Sequence, residues 1–227
     1  MPAWQVPNFW QGETCWIIGG GHSVPRQFDV PENIIHSVMN NELPLSAYSP
    51  YLSQLHGQRI IGINNAYSMG EWIDIVFFGD CPWYTIHRSA LATFPGLKVS
   101  CCPRFVNKKK ENFVKGLKKN PDRRFGITQN KTKVSWNGNS GSAAINLAVH
   151  LGVKKIILLG FDMCPGEDGN THFHSFHGKT KKATLARHLR GFPQIAKDAK
   201  ELGIEIINAS PDSAIKEFLK VSVKDLL

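Results

Sequence analysis

The chain has 227 residues, with 42% hydrophobic side chains, 20% charged side chains and a formal net charge of +9. This length and composition suit one α/β domain with its own core and exclude a disordered chain. No apolar run reaches the roughly 20 residues of a membrane span, and the N-terminus lacks the basic-then-apolar layout of a signal peptide, so we expect a cytoplasmic protein.

The first predicted element is a buried strand over residues 14–19 that runs directly into three glycines. Gly19, Gly20 and Gly21 are followed by His22 and Ser23. Glycine permits positive φ, and its missing Cβ lets backbone N–H groups approach a phosphate closely. The stretch therefore predicts a nucleotide or sugar-nucleotide site, with a simple turn after the first strand as the alternative.

Apolar runs of strand length recur along the chain and alternate with segments of helical pattern. After the first, strands are predicted at 59–64, 73–79, 97–101, 154–160 and 204–207. Helices are predicted over 140–151, ended by Gly152, over 180–202, broken or kinked at Pro193, and from Pro211, with Ser210 as N-cap. This alternation predicts an α/β fold, a single Rossmann-like domain over 1–227 with a mostly parallel sheet.

The positive charge is concentrated between residues 104 and 133. Eleven Lys or Arg residues and two acidic residues lie there, an excess equal to the net charge of the entire chain. We interpret 104–133 as a basic insertion or lid that faces an anionic acceptor or a nucleic acid. A solvated, lysine-rich insertion without a partner is the alternative.

The cysteines give a further expectation. There are five of them, with no CxxC spacing, and three adjoin predicted strands. We therefore expect reduced, mostly buried thiols and no structural zinc site.

Polar residues stand where the predicted strands end, which is the edge at which parallel α/β sheets bind ligands. A helix that starts near this edge adds outward-pointing N–H donors. We expect a nucleotide to be bound by these residues, with helix capping as the alternative role for Asn64 or Asp80. The strand-end residues are Asn64, Asn65, Asp80 and Asp162, and the helix start contains Asn139, Ser140 and Gly141.

Three histidines lie close together in a loop after the fifth predicted strand, namely His172, His174 and His177. Imidazoles at this spacing can bind a divalent metal, or one can act as general base while others hold a phosphate. We favour the second interpretation, with His174 or His177 as the base, His172 as an acceptor or phosphate contact, and no metal site. Lys179 and Arg187 follow and could hold a diphosphate, or they form an ordinary solvent-exposed helix face.

Together these motifs resemble a Rossmann-like superfamily of single-domain bacterial sialyltransferases, flagellin motility accessory factors and archaeal 6-hydroxymethylpterin pyrophosphokinase-like proteins. The motifs are Gly-x-Gly-x-Ser after the first strand, Asn after the second, Asp-x-x after the third, Ser-Gly opening a helix and Gly-Phe-Asp after a later strand. The His-x-His-x-x-His segment is similar to that of small phage-encoded relatives. The likeness extends from Cys15 to about Phe218, and it departs from the pattern at 20–22, where relatives often have Asn-Gly-Pro.

The resemblance implies roles for particular residues of this chain. Nucleotide phosphates would be bound by Gly19, Gly21 and Ser23. Asn64 and Asn65 would contact the nucleotide or the donor sugar. Ser140 and Gly141 would receive the base or ribose, with Asp162 near the ribose and His174 or His177 as the general base.

These observations predict a nucleotide-dependent transferase, first of all a glycosyltransferase that uses a nucleotide-activated sugar, a histidine base and no required metal. One alternative is a pyrophosphokinase or other phosphoryl-transfer enzyme using Mg-ATP, with Asp80 and Asp162 as its carboxylate pair. A second alternative is a non-enzymatic nucleotide- or nucleic-acid-binding protein that uses the same pocket and the same basic segment.

Overall fold

The computed structural model describes residues 4–106, 113–176 and 178–227. Strands and helices alternate along this part of the chain. The strands are β1 (Thr14–Ile18), β2 (Arg59–Ile63), β3 (Ile75–Phe78), β4 (Leu97–Ser100), β5 (Val114–Gly116), β6 (Lys118–Lys119), β7 (Lys133–Val134), β8 (Lys155–Leu159), β9 (Glu205–Asn208) and β10 (Leu219–Lys220). The helices are α1 (Ser23–Gln27), α2 (Glu32–Met39), α3 (Cys81–Thr93), α4 (Ser140–Leu151), α5 (Lys182–Leu189) and α6 (Phe192–Glu201).

Eight strands form one parallel sheet in the order β10-β9-β8-β1-β2-β3-β4-β5, and β6 pairs with β7 in a small second sheet. β1 lies inside the large sheet, between β2 and β8. The chain first builds outward from β1 to β5 and later returns to the other side of β1 with β8. Such a reversal opens a crevice at the carboxyl ends of the two strands. The predicted α/β fold is confirmed.

Helices cover both faces of the sheet, which explains why its strands are apolar without alternation. Cys15 and Ile17 of β1 pack in the same core as α4 and α6. Trp16 and Ile18 point the other way, into a second core with residues of α2 and α3. The predicted helix over 140–151 forms as α4, and Gly152 ends it with φ 96°. The region predicted to break at Pro193 forms two helices, with that proline in the first turn of α6.

The helix predicted from Pro211 is wrong. The two serines around this position are bound to the loop after β8, since the Phe161 N–H donates to Ser210 Oγ (3.0 Å) and Ser213 Oγ donates to the Phe161 carbonyl (2.6 Å). Ala214 N–H donates to the Asp162 carbonyl at 2.7 Å. These tertiary hydrogen bonds replace those that a helix would make, and the chain continues in turns to β10.

The expectation that all cysteines are reduced is also wrong. Cys81 and Cys102 form a disulfide that joins the first residue of α3 to the segment after β4. Cys15, Cys101 and Cys164 are free thiols. Burial raises the pKa of Cys101 to about 12 and also raises that of Cys15, so both are neutral core side chains.

The basic segment 104–133 is partly built into the fold. Its lysines at 108–110 lie outside the described residues, but its next part supplies β5, an edge strand of the large sheet. Arg123 donates to Asp198 of α6 at 2.6 Å, and Ile127 N–H donates to the same carboxylate at 2.6 Å. Burial alone would raise the pKa of Asp198, but hydrogen bonds from Ile127, Gln194 and Arg123 lower it, so the carboxylate stays charged.

Across the described ranges, no helix is long and apolar enough to cross a membrane.

Candidate functional site

A cavity lies at the carboxyl end of the sheet, at the reversal between β1 and β8. It is lined by the loops after β1, β2 and β8, by the N-terminus of α4 and by α5. Of the residues predicted from sequence, it brings together Gly19, Gly20, Gly21, Asn64, Asn139, Ser140, Gly141, Asp162, His172 and His174. The other lining residues are not among those predicted from the sequence, and they include Ile63, Phe161, Met163, Leu185 and His188.

The three glycines of the first loop serve two different purposes. A Cβ on Gly19 or Gly21 would lie 2.6 or 2.5 Å from the Gly160 carbonyl oxygen, so the loops after β1 and β8 can pack only if both are glycine. A Cβ on Gly20 would meet only His172, at 3.4 Å. None of the three has positive φ. Close backbone approach therefore requires glycine at positions 19 and 21 but not at 20. The positive φ expected from the sequence is not observed at any of the three.

Ser23 is bound to Asp162. The Ser23 N–H donates to Asp162 Oδ2 at 2.9 Å, and Ser23 Oγ donates to Oδ1 at 2.6 Å. His22 Nε2 lies 3.4 Å from Oδ2 of the same buried carboxylate. Asp162 thus occupies the N-terminus of α1, where the sequence predicts a phosphate. Ser23 itself does not line the cavity.

The N-terminus of α4 points at the cavity. Asn139 is its N-cap and accepts a hydrogen bond from the Ser142 N–H at 2.8 Å. Ser140 and Gly141, the first two residues of the helix, line the cavity. Aligned peptide dipoles place partial positive charge at this end of a 12-residue helix, so it favours an anionic ligand group.

The two asparagines after β2 have different environments. Asn64 lines the cavity with φ 48°, and its Oδ1 is buried without a hydrogen-bond partner in the part of the chain that the structure describes. An orphaned buried acceptor beside a cavity points to a ligand donor. Asn65 lies behind the lining, 1% exposed, and bonds to Trp83 and His174.

Three described histidines line the cavity. His172 lies between two threonines, with Nδ1 3.0 Å from Thr171 Oγ1 and Nε2 3.4 Å from Thr180 Oγ1. His172 and His174 stack at 5.3 Å between ring centroids. His177, predicted as an alternative base, lies outside the described residues.

His188 of α5 is a functional candidate that was not predicted from the sequence. Burial, and next the charge of Arg187, lower its pKa from 6.5, although Asp80 opposes the shift. An imidazole that is neutral at neutral pH can accept a proton. The signal in the sequence was its spacing from Leu185, three residues earlier on the same helix, which also lines the cavity.

The remaining predicted residues lie outside the cavity lining. Asp80 is the N-cap residue of α3 but makes no side-chain cap bond. Lys179 and Arg187 are exposed. Within 4–106, 113–176 and 178–227, no group of three His, Cys, Asp or Glu side chains is arranged to hold a metal ion.

No protein-family model matches the sequence, and no curated protein matches it. Two solved structures resemble the chain. The MAf glycosyltransferase from Magnetospirillum magneticum AMB-1 matches 98% of it with a TM-score of 0.56 and 14% identity. The chain shares the fold of this glycosyltransferase. It spans 35% of that protein's chain, or about a third.

The second structure is the sialyltransferase CstII from Campylobacter jejuni, in complex with the substrate analogue cytidine-5'-monophosphate. Its TM-score is 0.49 at 15% identity, over 93% of this chain and 86% of that one.

Proposed function

We propose that this chain is a nucleotide-dependent transferase, a glycosyltransferase that uses a nucleotide-activated sugar at the cavity between β1 and β8. The observation that carries the proposal is the meeting of the α4 N-terminus, an orphaned amide oxygen and three imidazoles in one cavity at the reversal of the sheet. The fold shared with a glycosyltransferase supports the same chemistry.

The donor phosphates would lie against the α4 N-terminus. Ser140 and Gly141 present the first N–H groups of that helix, and Gly20 faces the cavity without a side chain. When the bond to the sugar breaks, negative charge grows on the leaving phosphate, and fixed N–H donors stabilise that charge without reorganising. Asn64 Oδ1 would accept a hydrogen bond from the nucleotide or its sugar.

A histidine would take the proton from the acceptor hydroxyl. The sequence pattern favours His174 or His177. Among the described residues His188 suits this role better, because its lowered pKa keeps it neutral and it lines the cavity.

The acceptor would approach from the basic side of the molecule. Trp136 packs against Gly79, beside Ser140 of the cavity lining. Lys119 Nζ lies 3.7 Å from the centroid of the Trp136 ring. Lys119, in the described part of 104–133, thus contacts a residue beside the α4 end of the cavity, which supports an anionic acceptor, with a nucleic acid as one candidate.

The proposal is tested by a thermal-shift screen of the full chain against CMP-, UDP- and GDP-linked sugars, each with and without EDTA. At a ligand concentration of 100 Kd, binding adds about 2.7 kcal/mol of stability, which is a rise in Tm of roughly 5–10 °C for a domain of this size. Gly20→Val, whose methyl groups would extend toward His172, should abolish the shift. Lys197→Ala, an exposed substitution on α6, should retain it.

A shift only with ATP and Mg²⁺ would favour phosphoryl transfer instead. The Asp162 oxygens already accept both Ser23 donors, which weighs against their use as metal ligands. Absence of any shift with nucleotides would favour a binding protein whose partner contacts the basic segment. Binding of a polyanion there would weaken steeply with salt.

The base assignment makes a separate prediction about pH. Because burial lowers the pKa of His188 from 6.5, the acid limb of kcat/KM should have its midpoint below pH 6.5. His188→Gln should lower kcat by about 10²- to 10⁴-fold and remove this acid limb. The exposed His36→Gln is the matched control and should change neither. An unchanged rate in His188→Gln would refute the assignment.

A further inference from the structure

A chain of side-chain hydrogen bonds connects helix α3 to the cavity. Trp83 Nε1 donates to Asn65 Oδ1 at 2.6 Å, and Asn65 Nδ2 lies 3.3 Å from His174 Nε2. The three side chains belong to residues that are 5%, 1% and 4% exposed, respectively. Of the three, only His174 lines the cavity.

The direction of each bond in this chain follows from the chemistry of its first member. An indole N–H can only donate, so Asn65 must present its carbonyl oxygen to Trp83. The amide NH₂ group of Asn65, which can only donate, then faces His174 Nε2. His174 Nε2 must therefore accept, and a neutral imidazole that accepts at Nε2 carries its proton at Nδ1.

We infer that Asn65 and Trp83 are positioning residues that hold His174 in the neutral Nδ1–H tautomer, so that its occupied Nε2 cannot serve as the general base. The ring instead supports the cavity wall, because it stacks on His172. The exclusion of His174 as general base rests on the proposed function, whereas the tautomer is inferred from the Trp83–Asn65–His174 hydrogen bonds.

The Trp83 indole, the first donor in this series of hydrogen bonds, is packed on several sides. The His87 ring stacks on the Trp83 ring with 4.2 Å between centroids. The Tyr67 ring packs edge-on against the Trp83 ring, with 5.9 Å between centroids. The disulfide at Cys81 fixes the same first turn of α3. A rigid indole keeps the Asn65 amide from rotating, and this rotation is the motion that would reverse the tautomer.

The test is a two-bond ¹H–¹⁵N correlation spectrum of the full chain labelled with ¹⁵N-histidine, recorded without ligand at a pH where the ring is neutral. His174→Gln assigns the signals. We expect the Nδ1–H pattern in the unmodified protein. In Asn65→Asp the carboxylate only accepts, so the His174 ring should gain a proton at Nε2. In Trp83→Phe the amide loses its orientation, and both tautomers should appear.

A matched control comes from a second indole in the same half of the molecule. Trp72 Nε1 donates to Ser49 Oγ at 2.9 Å, away from the cavity. Trp72→Phe should therefore leave the His174 signals unchanged. Should Asn65→Asp not fold, Trp83→Phe decides alone.

An Nε2–H pattern in the unmodified protein overturns the inference. So does a pattern that stays unchanged in folded Asn65→Asp and Trp83→Phe, since another group would then set the tautomer. None of these spectra needs a substrate, so the inference can fail while the transferase proposal stands, and the reverse also holds.

Discussion

The two sides of the cavity rim contain similar polar residues and glycines, but these residues make different contacts on each side. On the β1–β8 side, Ser23 and Asp162 satisfy each other, and Gly19 and Gly21 make room for the Gly160 backbone. On the side formed by the β2 loop and α4, the Asn64 oxygen has no partner among the described residues, and the helix start faces the open cavity.

The difference shows that a polar residue at a strand end is not by itself a ligand contact. Its hydrogen-bonding capacity is either used within the fold or left for a ligand, and a folded protein leaves few buried polar groups unpaired. The first side holds the crevice together, and the second side is where a bound molecule would supply missing partners.

The largest difference in stability is expected between two single substitutions at adjacent glycines, Gly21→Ala and Gly20→Ala. Gly21→Ala places Cβ 2.5 Å from a backbone oxygen that cannot move away, so we expect a loss of about 3 kcal/mol, or roughly 6–12 °C in Tm. Gly20→Ala makes an ordinary 3.4 Å contact and should keep or slightly raise Tm. Thermal unfolding followed by circular dichroism measures both. Equal losses would remove the distinction between the two glycines.

A smaller effect is expected from Asp162→Ala. It leaves the Ser23 N–H and hydroxyl without their acceptor and should cost about 2 kcal/mol of unfolding free energy. Asn64→Gly is its counterpart on the other side, because glycine tolerates the positive φ and only the side chain is lost. Urea unfolding should show little change in Asn64→Gly, whereas its nucleotide-sugar binding should weaken. A stable Asp162→Ala would contradict the structural role of the carboxylate.

The smallest effect should come from Ser23→Ala. It removes one hydroxyl donor to Asp162 and keeps the backbone N–H bond, so about 1 kcal/mol should be lost. Ligand affinity, measured by isothermal titration, should not change, because Ser23 does not line the cavity. A marked loss of ligand affinity in a Ser23→Ala protein of nearly normal Tm would instead indicate that Ser23 contacts a ligand phosphate.

Much of the architecture could be predicted because buried parallel strands are continuous apolar runs. The strand predicted at 59–64 forms as Arg59–Ile63, and that at 154–160 forms as Lys155–Leu159. Helix α3 was not predicted, since its pattern includes the exposed Ile86 and starts with the disulfide-bonded Cys81. The helix expected from Pro211 failed because tertiary hydrogen bonds outcompete local propensity.

The location of the candidate site could be predicted from the sequence, but the hydrogen-bond partners of its residues could not. The spacing of residues along the chain placed Asn64, Ser140 and Asp162 at the same edge of the sheet, and all three line the cavity. That Asp162 is bound by Ser23 depends on an approach of the two loops that no local pattern encodes. His188 was missed for a related reason, since its pKa is lowered first by burial, which follows from the tertiary fold and not from a local pattern.

The reversal of the sheet between β1 and β8 also determines when the cavity can form. The hydrogen bonds from Ser23 to Asp162 join residues 139 positions apart. The chain between them must therefore bring its two ends together before the loops after β1 and β8 can both border the crevice. Contacts of such high sequence separation form slowly, because chain entropy is lost before they are gained. During synthesis the glycine loop after β1 is made early, long before the loop after β8 that packs against it. A nascent chain that ends before β8 therefore has the glycines and no binding site.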